Sequence, residues 1–119
     1  MISSLYISLS GLKALQKQLA IAAHNLANVN TDGFKKSRAV LQEAKPQGVT
    51  AQPQKLELPG PLLLEQRPDG EQLIEQSNVD VGEEIPNVLI GQRAYEANLK
   101  MLKAADETTG TLLDIIQRS

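Results

Sequence analysis

His24 is the only histidine in the 119 residues, and the chain has no cysteine. Thiol nucleophiles, disulfides and cysteine-based zinc sites are therefore excluded. His24 sits in a leucine-patterned stretch, where an interface or surface position accounts for it better than a base. Asp80, Glu83 and Glu84 form a carboxylate cluster. At the start of a helix such a cluster is explained by the macrodipole, with Asp80 and Glu83 spaced as a capping box. Lys35, Lys36 and Arg38 make a short cationic run, read either as a solvated face or as a salt-sensitive contact between subunits. Glycine-rich phosphate loops and metal-ligand spacings are absent from the sequence. These residues point to no enzyme, and to no metal, cofactor or small-molecule ligand.

The polar residues with the most unusual placement are amides. Asn25, Asn28 and Asn30 close a leucine-rich segment just before Thr31, Asp32, Gly33 and Phe34. Asparagine is a mediocre helix former because its amide competes for nearby backbone groups. Three so close together must end the helix or be bonded to something. Asn28 or Asn30 can stop it by taking a left-handed conformation or by bonding freed carbonyls. Gly33 supplies a positive φ in the turn, and Phe34 anchors the chain as it leaves. Asn25 lies further in, where its amide can bond a neighbouring helix.

The element before these amides follows a heptad. Leu5, Leu12, Leu19 and Leu26 fall seven apart, with Ile2, Leu9, Gln16 and Ala23 on a second ladder of the same stripe. Leu15, Ile21 and Ala22 widen it. The C-terminal third repeats the pattern with Ile85, Val88, Tyr95, Leu99, Leu102, Leu113 and Ile116 in one register, flanked by Leu89 and Leu112. Arg93 and Glu96 are spaced to pair on its exposed face. Gly82 and Pro86 are poor residues for early turns, so a kink or a late helix start is expected there.

Between the helices the texture changes. Five of the six prolines precede residue 70, and residues 49–52 and 55–58 alternate as extended segments broken by Pro53 and Pro59. Pro68-Asp69-Gly70 between two apolar runs signals a hairpin. The expected fold is mainly α, divided into an N-terminal helix (1–30), an extended and β-hairpin insert (31–79) and a C-terminal helix (80–119). The two helices pair as an antiparallel coiled coil.

Composition limits what such a hairpin can do alone. Aromatic residues make up only 3% of the chain, and aromatics supply much of the apolar area in small cores. The widened stripes ask for more than one neighbour, so the helices are expected to be completed by other subunits. A net charge of -2 with mixed signs leaves no footprint for nucleic acid. No apolar run reaches the length of a membrane span, and the N-terminus lacks the pattern of a cleavable secretory signal.

The stretch "SGLKALQKQLAIAAHNLANVNTDGFKKS" resembles the N-terminal signature of the bacterial flagellar rod and hook proteins. In that family a Ser-Gly-Leu helix leads into Asn-Asn-Leu-Ala-Asn-x-Asn-Thr-x-Gly-Phe, matched here at Asn25, Leu26, Asn28, Asn30, Thr31, Gly33 and Phe34. The C-terminal part is similar to the family's second signature, at Ser77, Asn78, Val79 and Asp80 and again at Arg93, Ala94, Tyr95, Glu96 and Asn98. His24 replaces the first asparagine of the usual pair, and the insert lacks the large outer domains of hook and distal-rod subunits. That favours the small proximal-rod type or a shortened paralogue.

The resemblance implies an axial structural protein of the basal body, in the rod that spans the periplasm. Its terminal helices would line a helical tube, with other rod and hook subunits and copies of itself as partners. It also implies passage through the flagellar export apparatus without a cleavable signal peptide, and termini that are disordered before assembly. On this reading Asn25 is expected to fix register between subunits. The rival is a free-standing helical-hairpin adaptor that binds one partner helix, which explains the ladders but not the paired signatures.

Overall fold

The computed structural model describes residues 2–119. Met1, at the start of the expected first helix, lies outside the described residues, as does the side chain of Ile2 on the second ladder. Helix α1 (Ile2–Ala27) is followed by strands β1 (Ser37–Glu43), β2 (Val49–Lys55), β3 (Leu62–Arg67) and β4 (Gly70–Glu75), then by helix α2 (Val81–Arg118). The molecule is elongated, 84 × 25 × 19 Å.

The helices lie side by side and antiparallel. At one end Asn25 meets Glu84. Further along, Leu19 covers the buried Gly91, where a Cβ would come within 3.1 Å of its Cδ2. Gly11 faces Asn98, and Leu5, Tyr6 and Leu9 flank a groove shared with Leu102, Lys103 and Asp106. At about 1.5 Å per residue α1 is about 39 Å long and α2 about 57 Å. The end of α2 therefore runs past the start of α1, and every residue from Gly110 to Ser119 is exposed.

That overhang accounts for the exposure of Leu113 and Ile116. Leu12 is buried, and Leu5, Leu19, Leu26, Val88, Tyr95, Leu99 and Leu102 are half-buried. Leu9, Ile85, Leu113 and Ile116 are exposed. Among the described residues the buried apolar side chains are Leu12, Ala14, Ala22 and Ala51. Three of these are alanines, which contribute little apolar area each, so the chain on its own has a thin core.

Helix α2 begins without delay. Asp80 is its N-cap, and its Oδ1 accepts the Gly82 N–H at 2.9 Å. The helix then runs unbroken through Pro86, so the late start expected from that proline does not occur. Pro86 forfeits only one bond close to the N-terminus, where the cap and the Asn25–Glu84 contact hold the first turns. The capping box is half formed, because Glu83 Oε2 accepts from Lys36 Nζ at 2.9 Å.

The insert is two antiparallel hairpins, β1–β2 and β3–β4, in separate two-stranded sheets. The Pro68–Asp69 turn joins Arg67 to its partner Gly70, as the sequence signal requires. Strand β1 was not expected. Pro53, expected to break an extended segment, sits inside β2 opposite Ala39. A two-stranded sheet leaves each strand a free edge, the place where a sheet accepts proline. The first hairpin packs on α1 and buries Ala51, while Ser10 Oγ accepts the Val49 N–H at 3.1 Å.

Candidate functional site at the junction of the two motifs

The fold brings the end of α1, the loop after it, the start of β1 and the residues leading into α2 to one place. Asn25 is the centre, only 1% exposed. Its Nδ2 donates to Ser37 O at 2.7 Å, and its Oδ1 accepts the Ser37 N–H at 3.0 Å. The amide thus pairs with the first residue of β1 as a strand neighbour would. The same Nδ2 donates to Glu84 Oε1 at 3.3 Å. Asn25 therefore spends its amide inside its own chain, and the register-setting contact with another subunit expected of it is not where those bonds go.

Asn78, from the second motif, makes the complementary stitch. Its Oδ1 accepts the Lys36 N–H at 2.6 Å, and its backbone N–H donates to Phe34 O at 3.2 Å. Its Nδ2 donates to Leu56 O at 3.0 Å and Leu58 O at 2.9 Å. Ser77 beside it is buried, its hydroxyl accepting the Val79 N–H at 3.2 Å. Each motif thus supplies one asparagine that holds the other motif's backbone or side chains.

Helix α1 ends as the sequence suggests, by one of the two routes. Asn28 Nδ2 donates to His24 O at 2.9 Å, and Thr31 Oγ1 donates to Asn28 Oδ1 at 3.1 Å. No non-glycine residue among those described has a positive φ, so Asn28 and Asn30 do not end it through a left-handed conformation. Gly33 does take φ 69°, and its N–H donates to Glu75 O at 2.8 Å. Phe34 packs edge-on against His24, with ring centroids 5.5 Å apart.

The cationic run is spent within the chain. Lys35 Nζ pairs with the Glu75 carboxylate and donates to Leu58 O at 3.1 Å. Lys36 pairs with Glu83, and Arg38 Nε donates to Gln54 Oε1 at 2.7 Å. The Lys35 hydrogen bond, with the Gly60 N–H, holds the Glu75 carboxyl below its usual range. Burial pushes Glu84 above that range, opposed by the Asn25 hydrogen bond and the Lys36 charge. The helix dipole invoked for Glu84 does not account for its burial. The missed signal is periodic, since Glu84, Val88, Gly91 and Tyr95 fall on one face of α2.

The remaining motif residues are placed elsewhere. Arg93 and Glu96 pair at 3.4 Å on the surface of α2. Ala94 and Tyr95 are half-buried further up that helix, and Asn98 faces Gly11. Among the described residues no buried side-chain nitrogen or oxygen lacks a hydrogen-bond partner, and no His, Asp and Glu group is arranged to hold a metal ion. A fully satisfied polar cluster of this kind rigidifies a joint; it offers no orphan group to a ligand.

Comparisons with known proteins converge on one family. The model described as "Flagellar basal body rod FlgEFG protein C-terminal" matches residues 71–115, and that described as "Flagella basal body rod protein" matches residues 5–35. The flagellar basal-body rod protein FlgG of Buchnera aphidicola subsp. Acyrthosiphon pisum (strain APS) is 56% identical over 43 residues, 36% of this chain. FlgG of Bacillus subtilis (strain 168) is 49% identical over 43 residues. The flagellar hook protein FlgE of Borreliella burgdorferi is 42% identical over 50 residues, 42% of this chain. The chain spans a small part of these relatives, the matches covering 16% of each of those two rod proteins and 11% of the hook protein.

Proposed function

Because the chain belongs to the flagellar basal-body rod and hook family, we propose that it is an axial structural subunit that polymerises through its terminal helices. The observation that carries this is the unfinished seam between them. The ladder that faces α1 at Val88, Tyr95, Leu99 and Leu102 continues to Leu113 and Ile116, which stand exposed. A helix from a neighbouring subunit fits that geometry as a coiled-coil partner, with other rod or hook subunits and further copies of the chain as candidates.

On this reading the asparagine junction is the stiff elbow that sets the helix pair against the β insert. The chain acts in the basal-body rod after passing through the flagellar export apparatus, and catalysis has no part in it. Ile116→Asp tests the proposal cleanly, because Ile116 is exposed and its change leaves the chain's own packing intact. Incorporation into rods is expected to fail while the helicity of the isolated chain is unchanged. Normal incorporation of Ile116→Asp would overturn the proposal. A helical-hairpin adaptor would instead form a one-to-one complex that does not grow with concentration.

A further inference from the structure

The β3–β4 hairpin packs against no other helix or strand among the described residues. It is held at its base, where Glu75 is fixed by Gly33 and Lys35, and by a loose Arg67–Asp32 pair at 3.9 Å. A lone two-stranded hairpin is marginal in water. This one is also apolar where it is least covered. The pairing of Leu64 with Leu73 and of Leu62 with Glu75 puts three leucines on one face, and they are 66%, 58% and 68% exposed for Leu62, Leu64 and Leu73. Nearer the turn that face carries Glu71.

The outward stripe of α1 presents the matching pattern. Tyr6 and Leu9 are exposed, and Lys13 and Lys17 follow on the same side of the helix. Neither Glu71 nor the two lysines enters an ion pair among the described residues. Leu73 and Glu71 are two residues apart in a strand, about 7 Å. Leu9 and Lys13 are one helical turn apart, about 6 Å. Apolar patch and charge therefore coincide when the two surfaces are laid together.

The surfaces cannot meet within one molecule. Tyr6 lies about 32 Å along α1 from Ala27, next to which the hairpin is rooted. Six-residue strands reach only about 20 Å. We propose that the Leu62, Leu64 and Leu73 face seats on the Tyr6 and Leu9 end of α1 in a second copy of this chain, with Glu71 against Lys13 and Lys17. This rests on the reading that the chain polymerises and names one contact of the polymer. The contact joins different patches of the two copies, so where it is not reciprocated it repeats along an assembly.

The absence of cysteine makes the test direct. Full-length Leu73→Cys and Tyr6→Cys chains are mixed under conditions in which scattering shows assembly, then treated with a short thiol–thiol cross-linker. A mixed dimer is expected, well above a control pairing Leu73→Cys with Met101→Cys. Adding Glu71→Lys to the first chain should lower the yield about two- to fivefold, and adding Lys13→Glu and Lys17→Glu to the second should restore it. Assembly with no more cross-linking than the control would overturn the contact alone. So would cross-linking that appears only with a different rod subunit. A parent chain that assembles neither alone nor with other rod subunits would overturn the contact and the proposed function together.

Discussion

Asn25→Ala is the substitution whose cost the junction geometry fixes most closely. It removes two bonds to Ser37, at 2.7 and 3.0 Å, and one to Glu84 at 3.3 Å. The Ser37 groups lie at the start of a strand and regain some hydration. Glu84 is buried, loses its amide donor and becomes a poorly compensated carboxylate. At about 1 kcal/mol for each neutral bond, and somewhat more for the one to a charged group, the loss is about 3 kcal/mol. Urea denaturation followed by circular dichroism, at a concentration where the parent is folded, reads this as a lower midpoint. Asn25→Asp should cost more at neutral pH, because it keeps the acceptor for the Ser37 N–H but sets a second carboxylate beside Glu84 and Ser37 O. Glu84→Gln placed in the Asn25→Ala background should recover part of the loss. If Asn25→Ala lies within about 0.5 kcal/mol of the parent, or Asn25→Asp is the more stable of the two, the junction is not the joint described.

The two shifted carboxyls give opposite pH signatures. Burial raises the Glu84 pKa in the folded chain above 4.5, so its contribution is full below that value and is lost as pH rises through the raised pKa; Glu84→Gln should match the parent in acid and be more stable at neutral pH. Glu75 is lowered from 4.5, so its contribution is present above that value and lost as pH falls through the lowered pKa. Glu75→Gln should therefore be destabilising at neutral pH and neutral in acid, with urea midpoints across pH reading both. Gly60→Ala should loosen the base of the second hairpin, because a Cβ there would stand 2.0 Å from Gln76 O. A cost of about 1–3 kcal/mol, seen as faster amide exchange in β3 and β4 with α1 unchanged, is the expected outcome.

What the sequence made legible was local. Heptad leucines placed two helices, Pro-Asp-Gly placed the second hairpin, Asp80 placed a cap, and Gly33 placed a turn. Each of these signals lies within a few residues of its effect. Asn25 was harder because its partners are 12 and 59 residues away, and no periodicity reports a side chain that mimics a strand neighbour. Asn78 was visible only as part of a family motif, for the same reason. Strand β1 was missed because "SRAVLQE" carries one β-branched residue and no clean alternation; its partner β2 and the flank of α1 make it a strand. The ladder did not say which of its residues the chain's own helices cover, because heptads give a register and not the depth of burial, and Leu9, Ile85, Leu113 and Ile116 are exposed.

The proposed function turns on whether the exposed ends of the seam are completed by other copies. Far-UV circular dichroism and light scattering, recorded together across a dilution series of the purified chain, test this most directly. Helicity that is low in dilute solution and rises as scattering rises is the result predicted here, since a core of Leu12 and three alanines leaves little to order two long helices. Full helicity that is independent of concentration, with scattering that stays monomeric, would contradict the account.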